Sequence, residues 1–271
     1  MITMKKYLLI PLFPFTIATV HGAENCTSEQ RRVNTDNIAL ITQKIIVGPV
    51  KSVSVKSSLP VGTAHNNTTD FELSSCGKLT RYEQKIDTVY MPGVTTTIRA
   101  TIDSSTPDLM TNHYETDKHG QKTNMLSERV FTKDKLNQIV SFRTTDRDAD
   151  GTVTDETHIT RKDGRITTLA TQVSGNNIIY LYHYNDVGQL IQITDDQNLN
   201  TTDYRYNDKG QRESETVVQQ RPDGGLKTFA RICEERDTHG NCLTEKNKTI
   251  NSNGGDEKTM EYATYYQYQY Y

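Results

Sequence analysis

The apolar positions of this chain fall into three regimes. Tyr7 to Val20 (YLLIPLFPFTIATV) is uncharged, follows Lys5 and Lys6, and leads to the small residues Gly22 and Ala23. A positive head, a short apolar segment and small residues at a cleavage point are the plan of a secretory leader. A membrane-spanning helix needs about 20 apolar residues, and two prolines interrupt this run, so residues 1–22 read as a signal peptide. Residues 23–105 follow as an N-terminal β region of irregular strands. Ile38 to Val47 (IALITQKIIV) is its most apolar stretch, Ser52 to Val55 alternates polar and apolar, and Tyr90 to Ile98 is β-branched around Pro92-Gly93.

Over residues 106–271 the pattern turns rhythmic, with short β-prone runs between Asp/Asn/Gly turns. This spacing predicts a long antiparallel meander of hairpins. The clearest unit, Tyr182-His183-Tyr184-Asn185-Asp186-Val187-Gly188-Gln189-Leu190, returns as Tyr204-Arg205-Tyr206-Asn207-Asp208-Lys209-Gly210-Gln211-Arg212. In each, Tyr-x-Tyr puts two rings on one face of a strand, and Asn-Asp with glycine makes the turn.

These units resemble the Rhs, or YD, repeat, whose pattern is close to Tyr-x-Tyr-Asp-x-x-Gly-x-Leu. Weaker copies run through Glu235 to Asn241, Tyr114 to Gly120 and Asp163 to Arg165. In that family the repeats form strips of β-hairpins, which wrap into a hollow shell in large toxins. The matching stretch is too short to enclose a cargo, so the resemblance implies a fold and a binding surface without an activity. Separate pieces are similar to the YnfC-like enterobacterial lipoproteins: Gly48-Pro49-Val50-Lys51, Ile232-Cys233-Glu234 with Asp237-Thr238-His239, and Tyr270-Tyr271. Lipid attachment wants small or apolar residues before its cysteine. Ala23, Glu24 and Asn25 precede Cys26 here, so no lipid anchor is expected.

Composition narrows the classes of function. There are 31 basic and 34 acidic residues, and the balance becomes more acidic once Lys5 and Lys6 leave with the leader. A nucleic-acid partner would demand a concentrated basic face. Hydrophobic residues make up 34%, too few for one thick core and better suited to sheet with a wet face. The four cysteines are an even set for an oxidising compartment and allow three connectivities. The simplest is Cys233 with Cys242 across a turn, leaving Cys26 with Cys76. Zinc is disfavoured because no CxxC spacing occurs.

One acidic loop offers candidate chemistry. Asp146, Asp148 and Asp150 alternate before Gly151 and Thr152, like the first half of an EF-hand calcium loop. Thr157 stands where the bidentate Glu should fall, and Asp155 and Glu156 are out of register, so a solvated Asp-rich turn is the competing reading. No nucleophile elbow, phosphate loop or zinc-protease motif occurs, and His183 points away from Tyr182 and Tyr184 on a strand.

On the last strand Tyr266, Tyr268 and Tyr270 share a face. An outer-membrane barrel would want apolar residues alternating back from the final position. Gln269 and Gln267 occupy those positions, so no barrel is expected.

The sequence therefore predicts an all-β antiparallel meander of hairpins tied by two disulfides, periplasmic or secreted in a Gram-negative bacterium, with no transmembrane segment in the mature chain. It reads as a non-enzymatic binding or structural module of the envelope. The candidate surface is Tyr182, Tyr184, Tyr204, Tyr206, Tyr266, Tyr268 and Tyr270, and the partner an envelope protein or a glycan. No cofactor is expected unless the acidic loop takes calcium. The alternatives are a calcium-binding protein and a cell-wall polymer hydrolase built on cross-strand carboxylates, which leave no spacing signature.

Overall fold

A computed structural model describes residues 26–58, 65–91, 93–173, 176–197, 199–221, 224–253 and 256–271. The leader and its cleavage point lie outside the described residues.

The first element is a helix, α1 (Ser28–Thr42), where the sequence suggested irregular strand. A capping box starts it: Gln30 N–H donates to Thr27 Oγ1 (3.1 Å), and Thr27 N–H donates to Gln30 Oε1 (2.9 Å). Val33, Asn37 and Ile38 are its buried residues, and Leu40 and Ile41 pack beside them, a helical period that the β-branched run after Ile38 conceals. Gln43 ends the helix in a left-handed conformation.

Among the described residues every later regular element is a strand. The strands are β1 (Val50–Ser58), β2 (His65–Leu73), β3 (Leu79–Met91), β4 (Val94–Ile102), β5 (Leu109–Lys118), β6 (Gln121–Lys133), β7 (Ile139–Arg147) and β8 (Thr152–Lys162). They continue as β9 (Arg165–Val173), β10 (Asn176–Tyr184), β11 (Leu190–Asp195), β12 (Asn200–Tyr206), β13 (Arg212–Gln220), β14 (Leu226–Arg236), β15 (Cys242–Asn253) and β16 (Asp256–Tyr270). Each pairs antiparallel with its sequence neighbours, and β1 pairs with β16, so the sixteen described strands form a closed barrel. The antiparallel meander of hairpins is present, and the expectation of no barrel was wrong. That expectation was drawn from the apolar alternation of lipid-facing barrels, and Gln267 and Gln269 stand on the outer wall of this one.

Residues directly opposite on neighbouring strands share a face, so the register carries the inner wall round the ring. Val53 faces Phe71, Phe71 faces Tyr82, Tyr82 faces Ile102, and Ile102 faces Met110. Across the seam Val53 faces Tyr268 and Val55 faces Tyr266. Phe71, Ile102 and Ile139 are among the most deeply buried side chains and join the helix's Ile38 in one core cluster. The outer wall is charged on part of its circumference: Glu72, Arg81, Glu83, Lys85 and Asp87 on β2 and β3, then Lys246, Lys248 and Glu261 on β15 and β16. Several pair across it, including Arg81–Glu83 (2.9 Å), Lys85–Asp87 (2.8 Å) and Lys122–Glu115 (2.7 Å). Such exposed pairs add roughly 0–1 kcal/mol each.

One rim is stitched to α1. Asn34 Nδ2 donates to the Cys76 carbonyl (2.9 Å), Asn37 Nδ2 to that of Asn137 (2.8 Å), and Arg32 to that of Gly164 (2.8 Å). Asn37 Oδ1 also accepts from Ile139 N–H (3.0 Å). A disulfide joins Cys26, just before the helix, to Cys76 in the β2–β3 turn; the second joins Cys233 to Cys242 across the β14–β15 hairpin.

The repeated Tyr-Asn-Asp-Gly units are hairpins of this rim. Asn185 N–H donates to the Gln189 carbonyl and Gly188 N–H to the Asn185 carbonyl, and the same turn recurs at Asn207–Gln211 and Asp237–Asn241. Gly188 and Gly210 have φ of 82° and 74°, which glycine adopts without strain. The turn also recurs at Asp134–Gln138, where no Tyr-x-Tyr precedes it. The likeness to the YD repeat therefore reports a shared local turn, and the closed barrel replaces the hairpin strip or shell that the resemblance implied.

Candidate lumenal site

All seven tyrosines singled out as a candidate binding surface lie on the lumenal wall, several with hydroxyls engaged in structure. Tyr184 donates to the Ile166 carbonyl (2.9 Å), Tyr206 to that of Leu190 (2.8 Å) and Tyr268 to that of Cys242 (3.1 Å). Tyr266, Tyr268 and Tyr270 stack in a row at 6.3 and 6.4 Å between centroids. Burial pushes the Tyr182 hydroxyl up to about 12 and raises those of Tyr204, Tyr266 and Tyr268 as well.

Tyr270 locks the seam. It stacks on His239 at 4.2 Å, donates to Asp237 and accepts from Asn241 Nδ2 (2.9 Å). Gly48 lies against the same His239 ring, and Tyr271 N–H donates to the Pro49 carbonyl (3.0 Å). The dispersed pieces Gly48-Pro49, Asp237-Thr238-His239 and Tyr270-Tyr271 thus meet where the last strand closes on the first.

The acidic loop does not converge on a point. Asp148 Oδ1 accepts from the N–H groups of Asp150 (2.8 Å) and Gly151 (3.1 Å), capping its own turn. Asp146 lies in β7 near the Arg129 guanidinium and the Tyr114 hydroxyl, while Asp150 and Thr152 are exposed. Among the described residues no group of three or more His, Cys, Asp or Glu is placed to hold a metal ion.

Where α1 ends, the lumen holds a cavity of about 160 Å³. Lys44 lines it, its ammonium donating to Tyr266 OH (2.6 Å) and lying 5.0 Å from that ring. Phe71, Tyr82, Phe229 and Tyr262 supply aromatic wall, and Asn67, Gln84 and Asn247 supply amides. Arg231 sits 4.7 Å over Phe229 and pairs with Glu215 (3.5 Å), while Glu245 is buried beside it. Burial lowers the Lys44 ammonium to about 8, with Glu245 partly opposing the shift. Asn247 Nδ2 donates to Thr264 Oγ1 (3.0 Å), and Thr264 shares a hydrogen bond with Ser57 (2.9 Å). Gln84 Nε2 donates to Thr69 Oγ1 (3.1 Å). Asn67 Oδ1, by contrast, is enclosed without a hydrogen-bond partner.

None of Lys44, Asn67, Glu215, Arg231 or Glu245 was singled out from sequence. They come from the end of α1 and from β2, β13, β14 and β15, so no local spacing unites them. The larger hollow, about 670 Å³, opens on the outer wall between β4 and β7. Its Glu115 and Arg147 are already paired with Lys122 and Glu128.

No family model and no curated protein matches the chain, so neither likeness drawn from its motifs gains support. Among solved structures, a porin-like protein from Bacteroides uniformis ATCC 8492 is similar, with a TM-score of 0.48 and 11% identity. The match covers 83% of this chain and 99% of that one.

Proposed function

We propose that this chain is an exported envelope protein that acts without catalysis, as a water-facing barrel holding a small molecule in its lumen. The opposed character of the two faces of one sheet is the observation that carries this reading. Inside are aromatic rings, amides and a covered cavity; outside are charges. A lipid-facing barrel wall has an apolar band about 25 Å tall, and an Arg or Lys at its mid-plane costs about 2–4 kcal/mol. Here Arg81, Lys85, Arg99, Arg143, Lys246 and Lys248 face outward on β3, β4, β7 and β15, which disfavours a membrane channel. The secretory leader and two disulfides suit an oxidising envelope compartment.

The hydrolase alternative would require a carboxylate poised as an acid beside a second one. In the lumen Glu215 is held between Arg212 and Arg231 as a salt-bridged structural carboxylate, with no second carboxylate paired to it among the described residues. Binding to the folded state raises stability as RT ln(1 + [L]/Kd), about 2.7 kcal/mol at 100-fold excess. Thermal melts of the oxidised chain against a chemically diverse set of small molecules are expected to show stabilisation by at least one class. Ser57→Phe, which fills the cavity, is expected to remove it. Stabilisation that survives Ser57→Phe, or none from any class, would contradict lumenal binding.

A further inference from the structure

We infer that the cavity beneath Lys44 is a subsite for one neutral sugar ring. This rests on the lumenal reading above and deepens it. Size sets the first limit: about 160 Å³ is well under the roughly 300–1,000 Å³ of drug-sized sites, which leaves room for one small polar ring.

Charge sets the second. Lys44 and Arg231 lie with Glu245 and Glu215, Arg212 shares Glu215, and each cation already has a partner, Tyr266 for Lys44 and Glu215 for the two guanidinium groups. A free carboxylate or phosphate would meet Glu245 as a like charge, and a zwitterion would have to displace existing pairs. An aliphatic ligand would leave the enclosed Asn67 Oδ1 without a donor, and an unmet buried acceptor costs about 1–3 kcal/mol. A pyranose meets these conditions together. Its hydroxyls donate to Asn67 Oδ1 and both donate to and accept from the Gln84 and Asn247 amides. Its C–H face packs on the rings of Phe229 and Tyr262.

The test is side-chain amide NMR on the full mature, oxidised chain, titrated separately with glucose, galactose, N-acetylglucosamine, glycine and inorganic phosphate. At least one pyranose is expected to move the Asn67, Gln84 and Asn247 amide signals. Asn67→Leu is expected to weaken that pyranose roughly tenfold, measured as the response of Gln84 and Asn247. Asn67→Asp, which keeps the shape, is expected to weaken it too, whereas Thr168→Val on the outer wall is not. If glycine or phosphate moves these signals and no pyranose does, the saccharide class is overturned while lumenal binding stands. If no solute moves them, yet other small molecules still stabilise the protein in a manner sensitive to Ser57→Phe, the sugar subsite is again overturned. Loss of every small-molecule response overturns both.

Discussion

Lys44 Nζ donates to the Tyr266 hydroxyl over 2.6 Å, joining the end of α1 to the last strand of the barrel. That contact gives the fold a pH signature. Burial lowers the Lys44 ammonium from its ordinary 10.5 to about 8, so between these values the unfolded chain holds a proton that the folded one has released. Stability then rises with pH across that window, since the unfolded state binds more protons. Above pH 10 the sign reverses, because raised tyrosines such as Tyr182 keep protons that the unfolded chain loses. Urea midpoints should climb from pH 8 towards 10 and then fall. Lys44→Met should remove the climb and leave the fall.

The two disulfides differ in the loop they close, 50 residues for Cys26–Cys76 and 9 for Cys233–Cys242. Loop-closure entropy assigns about 4 kcal/mol to the first and about 3 kcal/mol to the second. Double Cys→Ala replacement at 26 and 76 should lower the melting temperature more than the same change at 233 and 242. Equal losses would mean that the Cys26–Cys76 link does not restrain the unfolded chain as a long loop should.

Asn241 is 3% exposed and clamps one residue of the chain returning from α1. Its Oδ1 accepts from Val47 N–H (2.8 Å), and its Nδ2 donates to the Val47 carbonyl (2.7 Å). Asn241→Ala strands both groups, and one unmet buried group costs about 1–3 kcal/mol. A destabilisation of about 3 kcal/mol is expected in urea melts, and hydrogen exchange at the Val47 amide should quicken more than at Ile139.

At the acidic loop the Asp148 carboxylate is already occupied by two backbone N–H groups of its own turn. Melts in millimolar calcium and in EDTA should superimpose. Asp148→Ala should cost about 1 kcal/mol in either medium, as loss of a turn cap does.

How much of this was legible in the sequence depends on distance along the chain. The hairpins were readable because Asn185, Gly188, Asn207 and Gly210 encode their turns within a few residues. The strand parity of Tyr266, Tyr268 and Tyr270 was equally local. Closure of the ring was not, since it depends on Val53 meeting Tyr268 across more than 200 positions, and the polar Gln267 and Gln269 argued against the lipid-facing barrel alone. The helix had one local signal, the Thr27–Gln30 capping box, while the β-branched run from Ile38 hides its period. The cavity had none, because Asn67, Arg231 and Glu245 become neighbours only when the barrel closes.

The most direct measurement is detergent phase partitioning of the oxidised, leader-free chain after release from the envelope of expressing cells. With Arg81, Lys85, Arg143 and Lys246 on its outer wall, the barrel is expected in the aqueous phase, folded without detergent. Recovery in the detergent phase, or folding only in the presence of micelles, would mean that the wall faces lipid and would contradict the account.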